Sequence, residues 1–320
     1  MKNRILAASA AAAGIVLMIS GCTVPSDNPT SEPNAAGVES IFFSNILPSY
    51  APLAEADRCF LEEAEKQGVE AKTSGPTGQA TDNQVNIDLV SQAIANGYDA
   101  IILQPIDKAQ FTPVMEQAKA AGIYLATMNT ADTTDVQDFT IGTDYAVQGA
   151  TVAAAIAERD GQQNVGIIGP SANGTHVLFR DGFIAGIKDQ SLSNVTYVAE
   201  AFDDADPNKT VDTVNSLLTA HPEINVVLSW TGASTTGIMA AIREKDAVGK
   251  IVGVVNDVTD ETVQGIKDGV LYGTSKQNFC EMAIGAVDKL IALGKGESVP
   301  KAIDSGITFV TKDNVDEESK

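Results

Sequence analysis

The sequence predicts an α/β fold made of two doubly wound lobes with parallel sheets. From residue 39 onward, short apolar runs alternate with amphipathic stretches of helical periodicity, a pattern typical of strands that helices cover on both faces. Gly68, Gly97, Gly122 and Gly269 follow amphipathic stretches, where a left-handed residue ends a helix. A first series of strand–helix units is followed by a second series, which indicates two lobes. The length of 320 residues also suits two domains.

The apolar runs predict the strands, and the stretches between them predict the helices. Most of the strands are near-continuous apolar runs, as expected for strands buried on both faces. In chain order, the predicted strands are Ser40–Ser44, Val69–Thr73, Asp99–Leu103, Ile123–Thr127, Phe139–Gly142, Val165–Gly169, Val195–Ala199, Val226–Ser229, Ile251–Val255, Leu271–Ser275 and Ile307–Val310. The predicted helices cover residues 52–67, 82–96, 110–121, 145–160, 176–190, 208–220, 234–246, 259–268 and 279–294.

Composition excludes several classes of protein. Apolar residues make up 44% of the chain and charged residues 20%, so the chain can bury a core. The net charge of −21 repels phosphate backbones, which makes nucleic acid an unsuitable partner. The 3 cysteines are too few for a disulfide-built scaffold. No apolar run after residue 21 approaches the ~20 residues that span a bilayer.

The N-terminal segment predicts an exported lipoprotein. Lys2 and Arg4 precede an uncharged apolar run that ends at Ile19, and this order is typical of an export signal. The run leads into Ser-Gly-Cys, which resembles a bacterial lipobox. Residues 1–21 are therefore predicted to be a signal peptide, and Cys22 the acylated first residue of the mature chain. The alternatives are a signal peptide with a chance cysteine and an uncleaved anchor.

The predicted anchor sets the expected location. Several acyl chains on Cys22 would hold the protein firmly on a membrane, either in the periplasm or on the outer face of the cytoplasmic membrane. Residues 22–37 are rich in Pro, Ser, Thr and Asn and almost devoid of apolar residues, which predicts a flexible tether. At the other end of the chain, residues 313–320 are predicted to form an acidic tail.

The residues that follow the predicted strands are the candidates for a binding site, because ligands of doubly wound sheets bind outside the carboxyl ends of the strands. These residues are polar, largely neutral and rich in amides, which both donate and accept hydrogen bonds. One indole could stack on the C–H side of a sugar ring, so the set suits hydroxyl groups better than phosphates. The candidates are Asn45, Tyr50, Gln104, Asn129, Ser171, Asn173, Trp230, Thr231, Asn256, Asp257 and Gln277.

Five short motifs occur along the chain in a characteristic order and spacing. They are Glu63-Ala64-Glu65-Lys66-Gln67-Gly68, Gly97-Tyr98-Asp99-Ala100-Ile101-Ile102-Leu103, Gly142-Thr143-Asp144 with Gly149, Ala220-His221-Pro222-Glu223 before Val226-Val227-Leu228, and Ile266-Lys267-Asp268-Gly269. From about Ser40 to Lys312, the sequence therefore resembles the type I periplasmic solute-binding proteins of the ribose-binding, sugar ABC-transporter class.

The resemblance implies two lobes with a cleft between them. Three hinge crossovers are expected to join the lobes, with the chain returning to the first lobe near its end. The N-terminal lobe is expected to contain residues 38–141 and 277–298. The C-terminal lobe is expected to contain residues 142–276 and 299–312.

The resemblance also implies which candidates contact the ligand. Asn129 falls where the family usually has an aspartate that binds sugar hydroxyls, and Thr130 falls where an arginine commonly lies beside it. A capping role is the alternative for Asn129, and a core position is the alternative for Trp230. The predicted ligand-binding residues are Asn129, Trp230, Thr231, Asn256, Asp257, Gln277, Tyr50 and Arg180.

No motif in the sequence predicts catalysis, a cofactor or a metal site. The chain has 2 histidines and no visible Ser-His-Asp set. The Gly-Ile-Ile-Gly run that ends at Gly169 lacks the rest of a dinucleotide fingerprint, so it is interpreted as a strand end. Cys59 and Cys280 are predicted either to form a disulfide, which is common in exported proteins, or to be two free buried thiols.

The predicted function is that of a lipid-anchored solute receptor. A monomer of this kind closes on a small polar ligand, a sugar or a polyol, and delivers it to an ABC permease. The alternative is a receptor that presents its ligand to a chemosensor or a signalling kinase. A sugar-responsive transcription regulator would need a basic helix-turn-helix ahead of residue 38, where this chain has a predicted export signal.

Overall fold

The computed structural model describes residues 37–78, 80–130 and 134–319. The predicted signal peptide, Cys22 and the tether up to residue 36 lie outside these residues. Among the helices of the described ranges, none is both long enough and apolar enough to cross a membrane.

Strands and helices alternate along most of the chain. The strands are β1 (Ser40–Ser44), β2 (Glu70–Ser74), β3 (Ala100–Leu103), β4 (Tyr124–Met128), β5 (Phe139–Gly142), β6 (Gln163–Gly169), β7 (Val195–Phe202), β8 (Val226–Ser229), β9 (Val252–Asn256), β10 (Leu271–Gln277), β11 (Ala302–Asp304) and β12 (Ile307–Thr311). The helices are α1 (Ala51–Gln67), α2 (Asn83–Ala95), α3 (Lys108–Ala120), α4 (Tyr145–Ala157), α5 (Thr175–Asp189), α6 (Pro207–Ala220), α7 (Thr235–Glu244), α8 (Asp260–Lys267), α9 (Phe279–Gly294) and α10 (Val315–Glu318). All strands and helices predicted from the sequence are present, with ends that differ by a few residues.

In the described part of the chain, two six-stranded sheets form the centres of two lobes. The first sheet has the order β2-β1-β3-β4-β5-β11 and is parallel throughout. The second has the order β7-β6-β8-β9-β10-β12, and its last strand runs antiparallel to β10. The predicted class, two doubly wound lobes, is confirmed, with this antiparallel edge strand as an addition.

The chain passes between the lobes three times within the described residues: after β5, after β10 and after β11. One predicted boundary needs correction, because Ala302–Asp304 pairs with β5 of the first sheet. The boundary implied by the resemblance assigns residues 299–312 to the second lobe. A strand of three residues is too short to show an alternating pattern, so its sheet could not be assigned from the sequence.

The C-terminal residues pack on the second lobe, which corrects the predicted acidic tail. Val315 of α10 is buried. Lys276 Nζ donates hydrogen bonds to the backbone carbonyl and to Oε2 of Glu318, at 3.1 and 3.2 Å. One buried side chain and two contacts from β10 therefore hold this short acidic helix in place.

Local signals fix several helix ends. Asp82, Asp107 and Asp144 precede α2, α3 and α4, and each side chain accepts hydrogen bonds from backbone N–H groups of the first turn. Asp144 is thus the N-cap of α4. Gly68 ends α1 with a φ of 73°, a left-handed conformation that glycine adopts without steric cost.

A disulfide joins two helices of the first lobe. Cys59 of α1 and Cys280 of α9 are bonded through their sulfur atoms, and their Cα atoms lie 5.3 Å apart. Both helices contribute to the same apolar core, which includes Phe60 and Met282. Of the two alternatives left open by the sequence, the structure adopts the disulfide.

Candidate functional site

Tyr50 and Asp257 connect the two lobes across the cleft. Tyr50 directly precedes α1 in the first lobe, and Asp257 directly follows β9 in the second. Tyr50 Oη donates a hydrogen bond to Asp257 Oδ2 at 2.7 Å. The structure therefore brings two of the predicted ligand contacts together, but as partners of each other.

Residues at two of the crossovers extend this contact into a network. Gln277 Nε2 donates to Asp257 Oδ1 at 3.1 Å. Gln277 Oε1 in turn accepts a hydrogen bond from Thr143 Oγ1, also at 3.1 Å. We call Tyr50, Thr143, Asp257 and Gln277 the hinge-side cluster. Its hydrogen bonds link one lobe to the other directly, without a group from outside the chain.

Burial sets the electrostatics of the hinge-side cluster. It raises the pKa of the Asp257 carboxyl above its ordinary value, an effect that the hydrogen bonds from Tyr50 and Gln277 oppose. Burial and the nearby Asp257 raise the pKa of the Tyr50 hydroxyl far above its ordinary value. At neutral pH, Tyr50 is therefore the proton donor of the pair.

Close packing surrounds the cluster. A Cβ atom added at Gly232 would lie 2.9 Å from Tyr50 Oη, so the absence of a side chain at residue 232 makes room for the hydroxyl.

The predicted ligand contact Asn256 is engaged inside the second lobe. Its Oδ1 accepts hydrogen bonds from Gln148 Nε2 at 2.8 Å and from Ser275 Oγ at 2.6 Å.

A cavity of about 710 Å³ lies between the lobes, and we call it the interlobe cavity. Its volume is in the range of small-molecule sites, roughly 300–1,000 Å³. The lining combines aliphatic, aromatic, hydroxyl and amide side chains from both lobes. It includes Ile106, Asn129 and Thr130 of the first lobe and Tyr145, Leu178 and Trp230 of the second.

Trp230 forms a wall of the interlobe cavity and also belongs to the core of the second lobe. Its ring meets Tyr145 edge-on, with centroids 5.3 Å apart, and stacks on Phe179 at 6.3 Å. Its Nε1 donates a hydrogen bond to His176 Nδ1 at 3.1 Å. With 9% of the residue exposed, Trp230 is both a core residue and a residue of the cavity wall, the two alternatives considered from the sequence. Its core contacts hold in place the part that lines the cavity.

Asn129 lines the interlobe cavity on the first-lobe side, and the carbonyl oxygen of its side chain is unsatisfied. It directly follows β4 and has a φ of 46°, a left-handed conformation that asparagine adopts more readily than most residues. Its Oδ1 is buried and has no hydrogen-bond partner among the residues that the structure describes. A buried acceptor left unpaired costs ~1–3 kcal/mol, so a donor group in the cavity would be bound favourably there.

Arg180 and Thr231, two further predicted contacts, have protein partners and are not among the residues that line the interlobe cavity. Arg180 donates to Glu200 Oε1 at 3.1 Å and twice to Asp181 Oδ1, at 2.9 and 2.8 Å. Charge-assisted bonds of this kind are strong, and they hold the guanidinium away from the cavity. Thr231 Oγ1 lies 3.2 Å from Ser234 Oγ.

A family model described as "Periplasmic binding protein domain" matches residues 46–298. The chain belongs to this family. The resemblance to type I periplasmic solute-binding proteins that the motifs indicated is confirmed, and the two parallel-sheet lobes agree with it.

Named relatives of this periplasmic binding protein come from several bacteria. It is 27% identical over 263 residues to a xylitol-binding protein of Mycolicibacterium smegmatis, an alignment that covers 78% of this chain and 74% of the relative. It is 25% identical over 260 residues to the ribose import binding protein RbsB of Bacillus subtilis, covering 78% and 80% of the two chains. A solved solute-binding protein of Burkholderia graminis, in complex with D-arabinose, superposes with a TM-score of 0.71 at 26% identity, covering 89% and 99%.

Sequence reasoning missed several residues of the site in this periplasmic binding protein. Ile106, Tyr145 and Leu178 line the interlobe cavity but are not polar residues at a strand end. His176, which holds the Trp230 indole, is one of the 2 histidines of the chain and is not among the residues predicted for the site. One signal could have indicated them: His176 and Leu178 lie in the first turn of α5, which follows β6. This turn therefore also lies near the carboxyl end of a strand.

Proposed function

We propose that this periplasmic binding protein is an exported solute receptor, anchored through lipid at Cys22. It captures a small neutral ligand with several hydroxyl groups, a sugar or a polyol, in the interlobe cavity. It delivers this ligand to an ABC importer and does not change it chemically.

The arrangement of Asn129 and Trp230 in the interlobe cavity is the observation that carries the proposal. The buried Asn129 Oδ1, which lacks a partner within the described ranges, can accept a hydrogen bond from a ligand hydroxyl. Trp230 on the other lobe offers an aromatic surface for the C–H side of the same ligand. A molecule that contacts both residues bridges the lobes and favours the closed form, since it gains these contacts only there.

The names of the relatives support the class of ligand. One is called a xylitol-binding protein and another a ribose import binding protein, and a solved relative holds D-arabinose. Xylitol, ribose and arabinose are all small, uncharged and rich in hydroxyl groups. An aliphatic and aromatic lining with amide and hydroxyl groups suits molecules of this chemistry better than charged ones.

The predicted contacts take three roles in the proposal. Asn129 and Trp230 contact the ligand. Tyr50, Asp257 and Gln277 hold the lobes together beside it. Arg180, Thr231 and Asn256 support the second-lobe wall through their protein partners, rather than through the ligand.

A thermal-shift screen tests the function. Xylitol, D-ribose, D-allose and D-arabinose are added to the purified mature protein, with D-gluconate as a charged control. A ligand at 100 times its dissociation constant stabilises the folded state by ~2.7 kcal/mol, which shifts the melting temperature measurably. We expect at least one neutral compound to stabilise the protein and to be recovered unchanged after long incubation. Stabilisation by gluconate alone, or steady release of a product, would contradict the proposal.

The anchor needs a separate experiment. Cys22→Ala should move the protein from the detergent phase to the aqueous phase in a detergent partition of cell extracts, because the acylated thiol is lost. A Cys59→Ala/Cys280→Ala double variant is the matched control, since it removes two cysteines and keeps Cys22. Continued partitioning of Cys22→Ala into detergent would show that the lipobox interpretation is wrong.

A further inference from the structure

His176 is a fully buried histidine with a defined partner for each of its ring nitrogens. None of its surface is exposed. Nδ1 lies 3.1 Å from Trp230 Nε1, and Nε2 lies 2.9 Å from Glu200 Oε2. The ring therefore stands between the residue that lines the interlobe cavity and a carboxylate of β7.

The chemistry of the partners decides how the imidazole is arranged. The indole N–H of Trp230 can only donate a hydrogen bond, and a carboxylate can only accept one. His176 must then accept through Nδ1 and carry its proton on Nε2, where it donates to Glu200. Arg180 Nη1 donates to the other oxygen of Glu200 at 3.1 Å, so the carboxylate is itself fixed.

Close packing confines the imidazole ring. A Cβ atom at Gly169 would lie 2.1 Å from His176 Nδ1, so the backbone of β6 directly contacts one side of the ring. The ring of Phe202 meets it edge-on, with centroids 5.3 Å apart. With both nitrogens bonded and these two contacts in place, the ring is held in one orientation.

We propose that His176 is a positioning residue that fixes the Trp230 indole in the orientation that contacts ligand. The Nδ1 acceptor sets the plane of the indole, and Glu200 and Arg180 set the plane of the imidazole. The part of this inference that concerns ligand rests on the proposed function. The part that concerns the indole orientation does not.

The indole orientation can be measured without ligand, because Trp230 is the only tryptophan of the chain. Its side-chain N–H gives a single indole resonance in a proton–nitrogen NMR spectrum. His176→Asn keeps an acceptor oxygen near the position of Nδ1, whereas His176→Leu removes the acceptor at similar bulk. We expect the resonance to stay near its wild-type position in the Asn variant. In the Leu variant the resonance should move upfield, and the indole proton should exchange faster with water. His221→Leu is the matched control and should leave it unchanged.

The effect on affinity is tested with D-ribose and xylitol as probes. His176→Leu should weaken binding at least fivefold, the factor that corresponds to ~1 kcal/mol for one buried donor left unpaired. His176→Asn should stay within about threefold of wild type. In a Trp230→Phe background, which keeps an aromatic ring but has no N–H, His176→Leu should change affinity by less than about twofold, because the two residues act through one hydrogen bond.

The outcomes separate this inference from the proposed function. An unchanged indole resonance in His176→Leu would overturn the positioning role. Equal losses of affinity in the wild-type and Trp230→Phe backgrounds would also overturn it, since they would indicate a merely structural histidine. If Trp230→Phe and His176→Leu both bind the probes normally while the resonance moves, the positioning of the indole stands and the proposed ligand contact fails.

Discussion

The hinge-side cluster and the interlobe cavity lie in the same cleft but differ in how their polar groups are satisfied. In the cluster, Tyr50, Asp257, Gln277 and Thr143 bond to one another across the lobes. Asn129, which lines the cavity, has a buried side-chain oxygen that lacks a partner in the described part of the chain. One region joins the lobes with protein groups, and the other contains an acceptor that no described residue satisfies.

This difference separates closure from recognition. Contacts that join the lobes directly stabilise the closed form equally for every ligand. The loss of one such contact should therefore weaken the binding of all ligands by a similar factor. Contacts made with the ligand itself should discriminate between ligands.

The largest effect is expected for Trp230→Ala, because Trp230 belongs to both the core and the cavity wall. The free energy of unfolding should fall by ~3–5 kcal/mol, as for other aromatic residues truncated in a core. Ligand affinity should fall at least about 30-fold, from a loss of ~2 kcal/mol or more. Urea denaturation and calorimetry measure the two quantities. Unchanged stability would show that the ring is not a core residue, and unchanged affinity would remove it from the site.

Asn129 should affect affinity and leave most of the stability intact. Asn129→Ala and Asn129→Gly both remove the amide, and each should weaken binding by roughly 5- to 150-fold, the loss of ~1–3 kcal/mol. Only the alanine variant should also lose ~1 kcal/mol of stability or more, because alanine is strained at the positive φ of this residue. Normal binding by the glycine variant would place the ligand elsewhere.

Tyr50→Phe tests the hinge-side cluster. The loss of one hydrogen bond between the lobes should weaken binding at least about twofold, corresponding to ~0.5 kcal/mol or more. The factor should be the same for xylitol and for D-ribose, since Tyr50 does not select between them. Tyr98→Phe, in the segment between α2 and β3, is the matched control. A change in the ratio of the two affinities would show that Tyr50 contacts the ligand.

The pH dependence of stability tests the burial of the Asp257 carboxyl. Burial raises the pKa of the Asp257 carboxyl in the folded protein, so the folded state binds this proton more tightly than the unfolded chain. The resulting stability is fully present below the unfolded pKa and is lost as the pH rises through the folded pKa. As the pH rises above about 4, near the ordinary pKa of an aspartate, the wild type should therefore lose stability relative to Asp257→Asn until the pH has passed the folded pKa, by ~1.4 kcal/mol for each unit of pKa difference. Urea denaturation at a series of pH values measures the free energy of unfolding of both proteins. Plots of this free energy against pH that run parallel for the wild type and Asp257→Asn would contradict the prediction.

Most of the fold could be predicted because local patterns determine it. The apolar runs of strands such as Val226–Ser229 and the N-cap at Asp144 are properties of neighbouring residues. The pairing of Ala302–Asp304 with β5 and the antiparallel direction of β12 depend on where the chain returns after a crossover. Short edge strands carry little periodicity, so the sequence could not show either.

The site could be predicted by position but not by contact. Tyr50, Asn129, Trp230 and Asp257 were identified because they follow strands. The sequence could not show that Tyr50 and Asp257 bond to each other, since 207 residues separate them along the chain. Arg180 was assigned to the ligand, yet Glu200 and Asp181 engage it, because only the folded chain brings β7 beside α5.

The central claim is that the ligand lies in the interlobe cavity between Asn129 and Trp230. A fluorescence titration tests it most directly, because Trp230 is the only tryptophan of the chain. We expect the emission to shift on addition of the neutral compound that stabilises the protein. The shift should saturate with the dissociation constant measured by calorimetry, and the curve should move to at least about fivefold higher concentration in Asn129→Gly. Binding by calorimetry with unchanged emission and a normal Asn129→Gly curve would contradict the account.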